Sequence, residues 1–352
     1  MKFSLSQLVV LSLLSSVALP VVSAPVVYLP LDATNEVAVI DAESGTVTAR
    51  IPEVTNPHGL AITPDQRYLI AGAYTESQPD ESSSPPKPSG VSAEDHQKHH
   101  QIGDEQSNNS VGFSFVSVVD VAAKQVEHRI EVKGTVHHIA VTPNGQFAIA
   151  THPTTGAISV IDLQLRTVVK VIPTGPLPNY VVVTNDNKRV YVSNAGNNSV
   201  SEIDTQDWTV STNFTTGAAP EHVVLSPDET ELYVNNVGDG SVSVITLDSG
   251  QTNQTYNVGN TPHGIDLSED GRTLFVASKS DNQLVAINLE DNTQRTLALD
   301  PAPYHVTSVT GTDTLYVSSR SLEKIWVVDQ KSLRTTNEIT LDGIGHQMVV
   351  SR

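Results

Sequence analysis

Twelve histidines occur in this 352-residue chain, and seven of them fall at two adjacent positions of one recurring segment. The segment is clearest as Asn56-Pro57-His58-Gly59-Leu60-Ala61-Ile62-Thr63-Pro64-Asp65. The residue after its Pro position is His58, His137, Asn179, Glu221, His263, Tyr304 and His346 in successive copies. The next is Gly59, His138, Tyr180, His222, Gly264, His305 and Gln347. Imidazole exchanges protons near neutral pH and is also a ligand for copper, zinc and iron. With Glu221 and Tyr304, the trio His58, His222 and His263 forms a candidate acid–base set for a small organic molecule. His137, His138, Tyr180, His305 and His346 are candidate substrate contacts. This leading reading needs no metal or other cofactor; a metal site on His58, His137, His263 and His346 is the alternative.

What must position these residues is a repeat. Copies start at 57, 136, 178, 220, 262, 303 and 345, a period of about 42 residues broken by one step of about 79. Short alternating strands at this period are the signature of a β-propeller. In the fifth copy, residues 264–268, 273–277, 284–288 and 294–299 read as four strands, with Glu269-Asp270-Gly271 and Ser280-Asp281-Asn282 as turns. The last copy has only its first strand before Arg352, and residues 26–28, 36–41 and 46–51 supply the other three. The expected fold is all-β: seven blades of four antiparallel strands, the two termini sharing one blade and so hiding the edges an open sheet would expose. Residues 25–352 form that single domain.

In such a blade, the entry to strand one and the loop between strands two and three lie on one face. The histidine segment therefore rims the central funnel. His152, Lys279 and Arg320 are expected in loops of the same face and complete the candidate substrate contacts. Adjacent residues at a strand start point different ways, so the pattern does not decide whether His58 and His138 share a layer. The extra residues of the first copy, 75–110, hold Pro79, Pro85, Pro86, Pro88, a serine run and many charges. Such a composition cannot build a core, and is expected as a disordered insertion over the funnel, a lid or a spacer. It includes His96, His99 and His100, a weak and unselective metal trap at best.

The net charge is −19, with 17% charged and 38% apolar residues and no cysteine. Wholesale disorder, a disulfide scaffold, a thiolate nucleophile and a cysteine zinc site are excluded. The acidic balance argues against a nucleic-acid partner. Residues 1–24 carry Lys2, an apolar stretch from Leu8 to Leu19 and a small-residue ending at Ala24, and read as a secretory signal peptide. Sequons begin at Asn108, Asn197, Asn213 and Asn253, fitting a secreted glycoprotein. No second spanning stretch follows, and a closed ring leaves no edge that demands a partner, so a monomer with a small-molecule substrate is expected.

Tyr191-Val192-Ser193-Asn194, Tyr233-Val234-Asn235-Asn236, Phe275-Val276-Ala277-Ser278 and Tyr316-Val317-Ser318-Ser319 resemble the second strand of YVTN-type propeller repeats. The resemblance covers nearly all of the chain after the signal peptide. It implies the fold, while propellers of this type include lactonases, redox enzymes, surface-layer proteins and ligand binders. The fold, leader and acidity also resemble secreted fungal hetero-Diels–Alderases. That resemblance implies dehydration of a hydroxylated precursor to a quinone methide and its capture by an alkene, an isomerase-type cyclisation in secondary metabolism. The imidazole ring is similar to that of the copper-cluster domain of nitrous oxide reductase, though Asn179-Tyr180 interrupts it and the cysteine-bearing electron-transfer domain of that enzyme has no counterpart here. A lactonase, for which Glu221 is the residue to test, and a non-catalytic cell-wall or ligand binder complete the alternatives.

Overall fold

The computed structural model describes residues 24–77 and 111–351. The insertion beyond residue 77, its three histidines, Asn108 and the leader lie outside the described residues. Seven four-stranded antiparallel sheets form the molecule. Blade 1 has its inner strand at Pro57–Ile62 and its outermost at Gln125–Lys133; blades 2 to 6 begin at Ile139–Val141, Pro178–Val183, Pro220–Leu225, Pro262–Leu267 and Pro303–Val309. Blade 7 joins Val349–Val350 to Val26–Leu31, Glu36–Asp41 and Thr46–Ile51. The seven-bladed architecture with shared termini is therefore as the repeat predicts. Val27 and Tyr28 pair with Val350 and Val349, and Val26 N–H donates to Ser351 Oγ at 3.0 Å.

Alternation along the strands explains the core. In Tyr191-Val192-Ser193-Asn194 the apolar residues pack between neighbouring blades, and each interface holds its own buried cluster. One such cluster joins Ile149, Ile158 and Val160 of blade 2 to Val181, Val190 and Val192 of blade 3. The outermost strands show the opposite balance: in Gln251–Asn257 only Tyr256 is buried. Among the described residues no helix is long and apolar enough to cross a membrane.

One irregularity recurs where the histidines sit. Pro57 pairs with Ala73 but Leu60 with Ala71, so three steps on the inner strand face two on its neighbour. The same extra residue appears at Pro178/Val181, Pro220/Val223, Pro262/Ile265 and Pro303/Val306. These are β-bulges, which re-aim side chains and leave ladder groups unpaired. The residue before each is left-handed: Asn56, Leu177, Ala219, Thr261 and Ala302 have φ of 34°, 53°, 51°, 49° and 51°. Such a conformation is costly for residues other than glycine and asparagine, and its repetition at one place marks a position held by the surroundings.

Candidate functional site

The bulges resolve what alternation leaves open. With an extra residue in the strand, both residues after the Pro position lean towards the funnel axis, and the imidazoles become one cluster. His58 meets His137, His138 and His346 at ring-centroid distances of 4.6, 5.7 and 4.4 Å. Across the axis His138 meets His222 at 4.9 Å, and His222 meets His263 and His305 at 4.3 and 5.0 Å. Tyr180 lies between His138 and His222, 4.4 and 4.6 Å away. Tyr304 stacks flat on His263 at 3.9 Å and 7°. All seven histidines, Glu221 and Tyr304 are at most 5% exposed.

Glycine makes room for this crowd. A Cβ on Gly59 would stand 2.6 Å from His138 Cα, so blade 1 can approach blade 2 only without a side chain there. Gly264 meets the backbone of Tyr304 and His305 in the same way. Strand-two hydroxyls repair the bulges. Thr151 Oγ1 accepts His138 N–H at 2.9 Å and donates to Asn179 O of the next blade at 2.8 Å. Ser193 accepts Tyr180 N–H at 3.0 Å and donates to Glu221 O. Asn235 Nδ2 donates to His263 O at 2.7 Å. The polar residues of the repeat are thus latches between blades.

Hydrogen bonds fix the tautomers. His58 Nδ1 lies 2.9 Å from His137 O, and His137 Nδ1 lies 3.3 Å from Asn179 O. A carbonyl only accepts, so both imidazoles carry the proton on Nδ1 and the lone pair on Nε2. His263 Nδ1 lies 2.9 Å from Glu221 Oε2, which gives it the same polarity. His138 Nδ1 lies 2.7 Å from Gln347 Oε1, while Gln347 Nε2 donates to Tyr180 Oη at 2.6 Å. His346 instead places Nε2 3.1 Å from Asp32 Oδ2. The Nε2 atoms of His138 and His305, and both ring nitrogens of His222, are buried with no hydrogen-bond partner among the described residues.

Two trios, His58/His137/His138 and His222/His263/His305, each bring ligand atoms within 4.8 Å of one another. Burial, then neighbouring imidazoles, pushes His138, His222 and His305 well below the usual imidazole range, so they are neutral at pH 7. Burial also drives up the Tyr74, Tyr180 and Tyr304 phenols, which stay protonated. Burial pushes the Asp32 carboxyl up, but the hydrogen bond and charge of His346, with Ala33 N–H and Arg320, hold it below its ordinary value.

The structure thus brings together His58, His137, His138, Tyr180, Glu221, His222, His263, Tyr304, His305 and His346. Lys279 Nζ and Arg320 Cζ stand 5.9 and 5.6 Å from the Tyr304 ring centroid. His152 is the exception. It ends strand Phe147–His152 rather than lying in the loop, and its nitrogens lie 2.8 Å from Thr135 O and 2.8 Å from Ser159 Oγ. Burial pushes it down to about 4, and it serves the interior of its own blade, as Asn194 does with Ser201. Sequence reasoning passed over Tyr74, which stacks on His58 at 4.8 Å, and Asp32. Both directly follow the second strand of a blade, the position of Lys279 and Arg320, and that register was the available signal. Asp266 was also missed; it accepts Leu267 N–H and Ser308 N–H at 2.9 and 2.7 Å, two residues beyond Gly264, and burial raises it to about 6 despite those bonds.

A family model described as YNCE-like beta-propeller matches residues 114–269. Among solved structures, a putative 6-phosphogluconolactonase from Bacteroides fragilis is similar at 14% identity and TM-score 0.73, over 95% of this chain and 100% of that one. The periplasmic gluconolactonase PpgL of Pseudomonas aeruginosa gives 16% and 0.70, over 93% and 99%. Kuenenia stuttgartiensis hydrazine synthase gives 17% and 0.67, over 92% and 100%. At such identities the likeness is one of fold. No curated protein matches the chain. Its sheets and these likenesses give the chain a seven-bladed β-propeller fold, and the YNCE-like family model covers its central part.

Proposed function

We propose that the protein is a propeller metalloprotein that acts on a small molecule at a histidine-held transition-metal centre. The observation that supports this best is His222, whose two ring nitrogens are buried with no hydrogen-bond partner among the described residues, inside a trio of imidazoles. Leaving such atoms unsatisfied costs about 1–3 kcal/mol each, and a borderline cation of the copper or zinc class on the lone-pair nitrogen would remove that nitrogen's share of the cost. The tautomers fit. Nδ1–H bonds to a carbonyl or carboxylate, with the lone pair on Nε2, are the arrangement that orients metal-ligating histidines. Three imidazoles with open positions are also a common catalytic donor set. A metal held by these imidazoles would supply Lewis acidity. Glu221 holds the His263 ring in place, Gln347 joins His138 to Tyr180, and the crowded rings exclude bulk water. Elemental mass spectrometry of untagged protein, before and after chelation and dialysis against equimolar Zn²⁺ or Cu²⁺, tests this. Near-stoichiometric metal that falls away in His222→Ala is expected; a chain that takes up neither ion would overturn the reading.

Metal-free acid–base catalysis is the second reading, favoured by the Glu221–His263–Tyr304 stack. Glu221 with His263 is the base in that case. Lactone opening, the activity named for two similar folds, and the hetero-Diels–Alder type of cyclisation both fall within it. The close packing of the rings favours an ion over an organic ring system at the cluster itself. For the cell, we propose a secreted, monomeric glycoprotein. The sequon asparagines Asn197, Asn213 and Asn253 are exposed; a mass shift on glycosidase treatment of the secreted chain checks this.

A further inference from the structure

Above the buried ring lies a second tier. The residues that directly follow the second strand of blades 5, 6, 7 and 1 are Lys279, Arg320, Asp32 and Tyr74. In blades 2, 3 and 4 they are Pro153, Ala195 and Val237. Their equivalence is visible in the backbone. Tyr74, Ala195, Val237, Lys279 and Arg320 each donate N–H to the carbonyl of the residue preceding a bulge, namely Asn56, Leu177, Ala219, Thr261 and Ala302. All seven are half-buried, whereas the histidines beneath are fully buried. Among the described residues the tier is therefore the boundary between the buried ring and solvent, and it is polar on one side and apolar on the other.

Its charges are also divided unevenly. Asp32 is engaged by His346, and Glu221 beneath is engaged by His263. The side chains of Lys279 and Arg320 have no ion pair or hydrogen bond among the described residues, although both face Tyr304, and at longer range Glu221 acts on Lys279 and Arg320 on Asp32. Two half-buried cations without an ion pair among the described residues, in a chain of net charge −19, stand out from the rest of the surface. Cations like Lys188 and Lys331 are paired with carboxylates in the ordinary way.

We propose that the mouth binds a small organic oxyanion, with its anionic group between Lys279 and Arg320 and its apolar body against Pro153, Ala195 and Val237. The middle of such a molecule is then carried across the histidine ring. As a substrate class this rests on the ring being the reactive centre, but the binding itself does not. Charge-assisted bonds to two half-buried cations supply affinity, and the apolar side supplies orientation.

Calorimetric titration with benzoate, phenyl phosphate and neutral benzyl alcohol tests the proposal, on protein as purified and after chelation. At least one anion should bind about tenfold or more tightly than the alcohol. Lys279→Gln and Arg320→Gln should each weaken it about tenfold, with unchanged melting temperature, while Lys188→Gln on the opposite face changes nothing. Preference between benzoate and phenyl phosphate separates carboxylate from phosphate ligands. Equal binding of alcohol and anions, no binding of either anion, or unaltered affinity in both variants would overturn the proposal. Anion binding that vanishes on chelation but survives both substitutions would place the anion on a metal, sinking this proposal and supporting the histidine reading. Binding that persists after chelation and falls in the variants upholds the proposal even if no metal is found.

Discussion

At the residue scale, the seven funnel imidazoles are defined by which of their nitrogens are already engaged. His152 has both engaged inside blade 2, while His222 has neither engaged among the described residues. The two should respond oppositely to removal. His152→Ala should lower stability by about 2–3 kcal/mol, since it strands Thr135 O and Ser159 Oγ in a buried place, and leave metal content untouched. Equilibrium urea unfolding paired with elemental analysis would show this, and a loss of metal in His152→Ala would contradict it. The buried histidines also set a pH dependence. In His138, His222 and His305 the folded value lies below the unfolded one of about 6.5. Their contribution is complete above that pH and is lost as pH falls, at about 1.4 kcal/mol per unit for each. Asp266 acts the other way: raised to about 6, it loses stability as pH rises between about 4 and 6. Three protons outweigh one, so chelated protein should lose stability steadily from pH 6.5 to 5. A urea midpoint that stays flat over that interval would refute the assignment.

At the element scale, the bulge at the head of each inner strand is the device that turns a strand into a ligand-bearing edge. It exposes a backbone N–H, and a strand-two hydroxyl answers it while holding the neighbouring blade. Ser193→Ala removes the acceptor for Tyr180 N–H and the donor for Glu221 O together. A cost of about 2–4 kcal/mol follows for two buried groups left unsatisfied, and thermal melting would register it. A variant as stable as the parent would mean that water replaces the hydroxyl. Gly59 tests the close approach of blades 1 and 2. Gly59→Ala places a methyl against the His138 backbone, and overpacking of this kind costs about 1–3 kcal/mol or more. Ala there should also disturb His138 more than His263, visible as selective change in the imidazole NMR signals.

At the scale of the whole molecule, closure matters most, since no disulfide ties the ring. Blade 7 is held by Val349 and Val350 on Val27 and Tyr28, by the Ser351–Val26 bond, and by buried Met348 and His346. A chain ending at residue 344 should lose these contacts and expose the edge of Val26–Leu31, which invites pairing between molecules. Size-exclusion chromatography should find oligomers or aggregate in place of a single species. A well-folded monomer from that truncation would show that closure is dispensable. The closed ring also explains why residues far apart in sequence, such as His138 and Gln347, meet at 2.7 Å.

The sequence by itself determined the propeller, the blade count, the shared terminal blade and the concentration of imidazoles at the mouth. It could do so because each blade is a local hairpin repeat whose strand period and turn residues are written in consecutive positions, such as Tyr233-Val234-Asn235-Asn236. It also singled out Lys279 and Arg320, though not the tier to which they belong. The tertiary structure alone decided that His58 and His138 share one cluster, because an inserted bulge residue breaks the alternation on which the reading of side-chain direction depends. It alone withdrew His152 from the site and brought in Tyr74, Asp32 and Asp266. Hydrogen-bond partners and desolvation are set by neighbouring blades, about 42 residues or a whole ring away, and no local spacing records them.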